Sequence, residues 1–162
     1  MAFLLRQIKK RRWDVEEDSQ WLGNDIKGDA LSDLNTRDNN LSVWCVADDQ
    51  SNLQRVATAL ASCRDHAANL DIALFDDSIP VKLEIKVMPS TGGSPDKEAN
   101  TKWHVDLVQL SGGKLLALAR AIWQEAQRER YAEGTILQWI REAVQDGRIS
   151  DQDLRPQLRA KL

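Results

Sequence analysis

Residues 41–60, LSVWCVADDQSNLQRVATAL, constrain the fold of this chain more than any other stretch. Leu41 to Ala47 is an apolar run with little alternation, bounded by Asn39-Asn40 and Asp48-Asp49. A strand of that kind is covered on both faces, which places it inside a sheet. Ser51 followed three residues later by Gln54 forms a capping-box pattern, and Leu53, Val56, Ala57, Leu60 and Cys63 then recur at helical spacing. A buried strand that turns straight into a helix fixes an α/β framework. In open sheets, ligands tend to sit where a strand's carboxyl end meets a helix start.

The rest of the chain extends this unit. Asp71 to Phe75 reads as a second strand, closed by Asp76-Asp77-Ser78 and Pro80. Val81 to Val87 alternates strictly between apolar and charged residues, as does Trp103 to Leu107, and the two are expected to pair as half-buried strands. The 88–102 connection carries Pro89, Gly92, Gly93 and Pro95 and is expected to be a mobile or functional loop. Leu115, Leu118, Ala119, Ile122, Trp123 and Ala126 form an amphipathic stripe with Ser111 as N-cap. Gly134 breaks that helix. Thr135 with Gln138 repeats the capping box, and Gly147 ends the next apolar face. Ser150 is expected to cap a last turn limited by Pro156.

The expected fold is α+β or open α/β, with a mixed sheet of about four strands, one helix after the central strand and a helical C-terminal third. One compact domain is expected, with an irregular N-terminal wrap at 1–40, an α/β core at 41–110 and C-terminal helices at 111–162. The N-terminal part is the least regular. Phe3, Leu4, Leu5, Ile8 and Trp13 fit neither periodicity, and the basic residues Arg6, Lys9, Lys10, Arg11 and Arg12 precede the acidic Asp14, Glu16, Glu17 and Asp18.

Composition narrows the function classes. The formal net charge of −3 disfavours a general nucleic-acid binder. No apolar run reaches roughly 18 residues, so no membrane span is expected. MAFLLRQIKKRRW places its basic residues after its apolar ones, the reverse of a secretory signal, so a cytoplasmic location is expected. Cys45 and Cys63 then read as buried thiols in a reducing compartment.

The candidate chemistry is sparse. Asp48 and Asp49, at a strand's carboxyl end, could bind a cation or act as acid and base; the structural alternative is helix capping and a solvated turn. His104 and Asp106 share one strand face, expected to be the polar one, and could begin an acid/base or metal site; the alternative is a polar pair opposite Lys82, Glu84 or Lys86. Cys45, Cys63, His66 and His104 lack any short Cys-x-x-Cys anchor, so no metal site and no cofactor is assigned. Leu110-Ser111-Gly112-Gly113-Lys114, with Ala119-Arg120-Ala121-Ile122, superficially resembles the signature motif of ABC-transporter ATPases. The chain has no Walker A sequence to cradle phosphates, so the segment is read as a helix start.

Six tryptophans against two phenylalanines and one tyrosine are unusual. Trp103, Trp123 and Trp139 lie on or near apolar stripes and read as core, whereas Trp13 and Trp21 fall outside any pattern. They are the partner-binding candidates, with burial under the N-terminal wrap as the alternative. Two function classes follow. The first is a non-enzymatic protein-interaction module (adaptor, inhibitor or accessory subunit) with a protein partner. The second is a small hydrolase or nucleotide-handling enzyme built on Asp48, Asp49, His104 and Asp106. Convergence of those four residues in one cleft is what separates them.

Overall fold

The computed structural model of the chain describes residues 2–15 and 20–162. Its strands are β1 (Phe3–Ile8), β2 (Leu41–Val46), β3 (Leu70–Asp76), β4 (Lys86–Pro89), β5 (His104–Val108) and β6 (Gln127–Tyr131). Its helices are α1 (Lys10–Trp13), α2 (Leu53–Ser62), α3 (Ser78–Lys82), α4 (Lys97–Lys102), α5 (Gly112–Glu125), α6 (Glu133–Gln145) and α7 (Pro156–Arg159), with a 3-10 segment at Gly28–Leu34. The strands form one six-stranded sheet in the order β4-β5-β2-β1-β3-β6. All neighbours pair antiparallel. The α+β class holds, but the expected mixed sheet of about four strands is corrected in both strand number and strand direction.

The two unforeseen strands were hidden for different reasons. β1 lies between β2 and β3, so Leu5 and Leu4 are buried on opposite faces and alternation is lost. The segment expected to wrap the domain therefore begins inside the sheet. Glu16, Glu17 and Asp18 lie outside the described residues. β6, QRERY, lies on the edge and has no apolar face to read; it is registered on β3 by Leu70↔Tyr131 to Leu74↔Gln127, and Arg130 Nε donates to Asp71 at 2.6 Å.

The core has two halves, one on each sheet face. Leu5, Trp44, Val46, Leu70, Ile72 and Leu74 pack against α2, α6, Leu154 and Leu158. Leu4, Ile8, Leu41, Val43, Phe75 and Leu107 pack against α5 and the Gly28–Leu34 segment. Trp103, Trp123 and Trp139 are partly buried against these clusters.

Several local expectations change. Residues 81–87 are not one strand. Pro80, Val81 and Lys82 belong to α3, Ile85 N donates to Pro80 O at 2.8 Å, and Glu84 has φ +53, so the chain reverses before β4 begins. That reversal leaves Val81 exposed and Ile85 buried. Neither capping box forms. α2 starts after Asn52, which spends its side chain on the preceding turn, accepting from Ala47 N at 2.8 Å and donating to Cys45 O at 3.2 Å. α6 starts after Ala132 with no side-chain cap, so Gly134 and Thr135 lie inside it. Ser111 does cap α5, accepting from Lys114 N, and Gly147, at φ +72, ends α6 in the left-handed region. Ser150 makes no side-chain cap, and Pro156 opens α7 instead.

Candidate functional site

The sheet's middle contains an opening. β1 pairs with β3 over its whole length, but its ladder with β2 covers only Phe3, Leu4 and Leu5. Continued two residues further, that register would set Gln7 opposite Ser42 and bring Gln7 N–H to Ser42 C=O. Instead Arg6 Nη1 donates to Ser42 O at 2.8 Å, while Arg6 Nε and Nη2 both reach Asp33 O, at 3.1 and 3.0 Å. A guanidinium thus occupies the place of a ladder bond and the strands part. Burial lowers the Arg6 pKa from its ordinary value, and the nearby Asp33 carboxylate opposes that shift.

A cavity of about 680 Å³ fills the split. Leu5, Gln7, Ser42, Trp44 and His104 line it from the strands, Leu60 and Cys63 from the end of α2, and Gly93 and Ser94 from the segment before α4. Lys9, Arg12, Ser32, Asp33 and Asn35 complete it. Ser42 is exposed although its strand is interior. A second cavity of about 490 Å³ shares Cys63, Gly93 and Ser94 and runs on past Lys97, Asp153, Arg155 and Arg159.

The wall between the cavities is the segment expected to be a mobile loop. It is pinned. Ser94 N and Oγ both donate to Asn100 Oδ1, at 3.0 and 2.6 Å, and Asn100 Nδ2 returns a bond to Ser94 O at 2.7 Å. Asp96 caps α4 through Ala99 N at 2.9 Å and takes two bonds from Arg55, at 2.8 and 3.0 Å. Burial pushes the Asp96 carboxyl up, but the bonds from Arg55 and Ala99 outweigh it and hold it below its usual range. A Cβ on Gly92 would lie 2.8 Å from Asn100 Oδ1 and 3.1 Å from His104 Cδ2, so this backbone approaches as closely as glycine permits.

His104 is buried rather than on a wet face. It stands edge-on to Trp44, with ring centroids 5.1 Å apart, and its Nδ1 is hydrogen-bonded to Ser90 Oγ at 2.7 Å. Burial lowers its pKa, Asp106 opposing and Arg6 assisting. Asp106 accepts from Ser42 Oγ at 2.9 Å and pairs across to Met88, not to Lys82, Glu84 or Lys86.

Asp48 and Asp49 do not join them. Asp106 lies opposite Ser42 near the start of β2, and the run from there to Asp48 spans roughly 20 Å of extended chain. Asp49 Oδ1 accepts from Ser51 N at 3.0 Å, and its hydrogen bonds with Ser51 hold it below the usual carboxylate range. Cys45 is half-buried in the core half formed by α5, and Cys63 is exposed rather than buried. Among the described residues no group of three or more His, Cys, Asp or Glu side chains is placed to hold a metal ion.

The two candidate tryptophans separate. Trp13 is only 2% exposed and Trp21 is 78% exposed. Trp13 Nε1 donates to Asp33 Oδ2 at 2.9 Å; the same carboxylate takes Lys9 N at 2.8 Å and Arg12 Nη1 at 2.7 Å. Trp13 is thus a core anchor for the N-terminal segment. Sequence reasoning missed Arg6, Asp33, Ser42 and Asp96. The one signal available was the polar Ser42 inside an apolar interior run.

No family model matches the chain, and neither the curated proteins nor the solved structures give a match to it.

Proposed function

We propose that this chain is a non-enzymatic protein-interaction module and that the cavity between β1 and β2 is its recognition site. The observation that carries the reading is the exposed Ser42 on an interior strand, facing a preformed cavity. Pre-organised walls spare a binding partner the cost of ordering them, and Ser94, Asp96 and Asn100 supply that order here. Gln7 and Ser42 offer amide and hydroxyl groups of the kind that satisfy a peptide backbone. The hydrolase alternative loses Asp48 and Asp49 to the far end of β2, which leaves His104 and Asp106 as its only members near the cavity.

The test is purification of the tagged chain from its own cells beside a Ser42→Trp variant, with thermal unfolding as the folding control. Ser42 is exposed, so the bulky side chain projects into the cavity rather than the core. The expected outcome is one partner recovered at near-stoichiometric yield with the parent chain and lost with Ser42→Trp at unchanged melting temperature. Equal recovery with both chains would place the partner elsewhere and overturn the reading.

A further inference from the structure

We infer that the groove takes an extended acidic segment of a partner protein, with a side-chain carboxylate seated on Arg6; this rests on the interaction reading above. The chain as a whole is acidic, with a formal net charge of −3. The two neighbouring cavities reverse that balance: Arg6, Lys9, Arg12, Lys97, Arg155 and Arg159 line them against Asp33 and Asp153. Arg12 is ion-paired with Asp33 and Arg155 with Asp65, so the positive excess comes from Arg6, Lys9, Lys97 and Arg159 against Asp153. Among the described residues Lys9, Lys97 and Arg159 make no side-chain ion pair.

Arg6 is the anchor. A guanidinium has five N–H donors. Three serve Asp33 O and Ser42 O, which leaves two without a protein acceptor among the described residues, on a side chain that lines the cavity. The three backbone bonds also fix the plane of the group, so a carboxylate meets a donor pair that is already oriented. The two cavities lie side by side across the wall made by Cys63, Gly93 and Ser94, and cations line both. Cations spread over two neighbouring cavities suit an extended segment with several acidic residues better than a single small anion. Nucleic acid is the weaker fit. Single strands need aromatic platforms for base stacking, and the groove's one aromatic from the sheet, Trp44, is buried with His104 against it.

The probe is a fluorescent peptide of alternating Glu and Ser, compared by anisotropy with its Gln-Ser and Lys-Ser counterparts and with a single-stranded oligothymidine. The full chain is used throughout. The acidic peptide is expected to bind at least tenfold tighter than the amide peptide and to weaken with added salt. Lys9→Glu with Arg159→Glu changes two exposed residues and is expected to weaken acidic binding at least tenfold at unchanged melting temperature. Arg6→Lys keeps the charge but loses the fixed donor pair, and is expected to reduce the preference of Glu over Gln. Equal binding of the Glu and Gln peptides, no effect of the double reversal, or tighter binding of oligothymidine would each overturn the inference. Amide-peptide binding that Ser42→Trp abolishes would overturn it while leaving the interaction reading standing. Loss of the Ser42 dependence would remove both.

Discussion

Asp96 is a residue whose role rests on its partners alone. Its side chain is 2% exposed and Arg55 grips it through two nitrogens. Asp96→Ala leaves Arg55 without its main partner and α4 without its cap, and is expected to cost about 3 kcal/mol, read from denaturant midpoints. The two N-terminal tryptophans should diverge. Trp13→Ala removes a fully buried ring and should cost about 3–5 kcal/mol, whereas Trp21→Ala should leave stability within about 0.5 kcal/mol. Equal losses would contradict their placement. His104 gives a pH signature. Its folded pKa lies below the ordinary 6.5, so the unfolded chain takes the proton first as pH falls. Stability from neutral His104 is present above about 6.5 and declines as pH drops through the folded value. His104→Asn should flatten the stability slope between pH 7 and 5. An unchanged slope would mean the ring is not desolvated. The burial of His104 was not legible in sequence, because it depends on Trp44 and Gly92 closing over it from other segments.

At the scale of elements, the 90–102 segment is the main lesson. Gly92, Gly93, Ser94 and Pro95 looked like an unanchored loop because they lack apolar side chains. They are held by polar bonds instead, and polar bonds leave no periodic trace in a sequence. Gly92→Ala is expected to destabilise by roughly 1–3 kcal/mol, since the new Cβ meets Asn100, His104 and Trp44 within 3.2 Å. Limited proteolysis should spare 90–96; early cleavage there would contradict the Ser94–Asn100 network. Edge strand β4 is also explicable. Ser90 N donates to His104 O, so alternate residues along β4 turn their backbone to β5 and leave Val87 and Pro89 facing outward. Proline has no N–H to offer, and Lys86 adds charge, so this short edge is poorly suited to pairing with another strand.

For the whole molecule, the consequence of topology is that the first strand closes the sheet. β2 and β3 flank β1, so their connection through α2 leaves a slot that residues 3–8 fill. Deleting residues 1–9 should abolish cooperative unfolding rather than trim a wrap, and β1 amides should exchange as slowly as those of β3. A deletion variant with a sharp thermal transition would contradict this arrangement. No helix among the described residues is long and apolar enough to cross a membrane.

Local periodicity and local backbone preference were enough to place the interior strand at 41–46, the amphipathic faces of α2, α5 and α6, the start of α5 at Ser111 and the stop after α6 at Gly147. Long-range packing set the strand order, the burial of His104 and Trp13, and the separation of Asp48 and Asp49 from Asp106. It alone opened the cavity, since the parting of β1 from β2 depends on Arg6 reaching Asp33 and Ser42, 27 and 36 residues away. Contacts over such separations are made by chain topology, and no window of neighbouring residues encodes them.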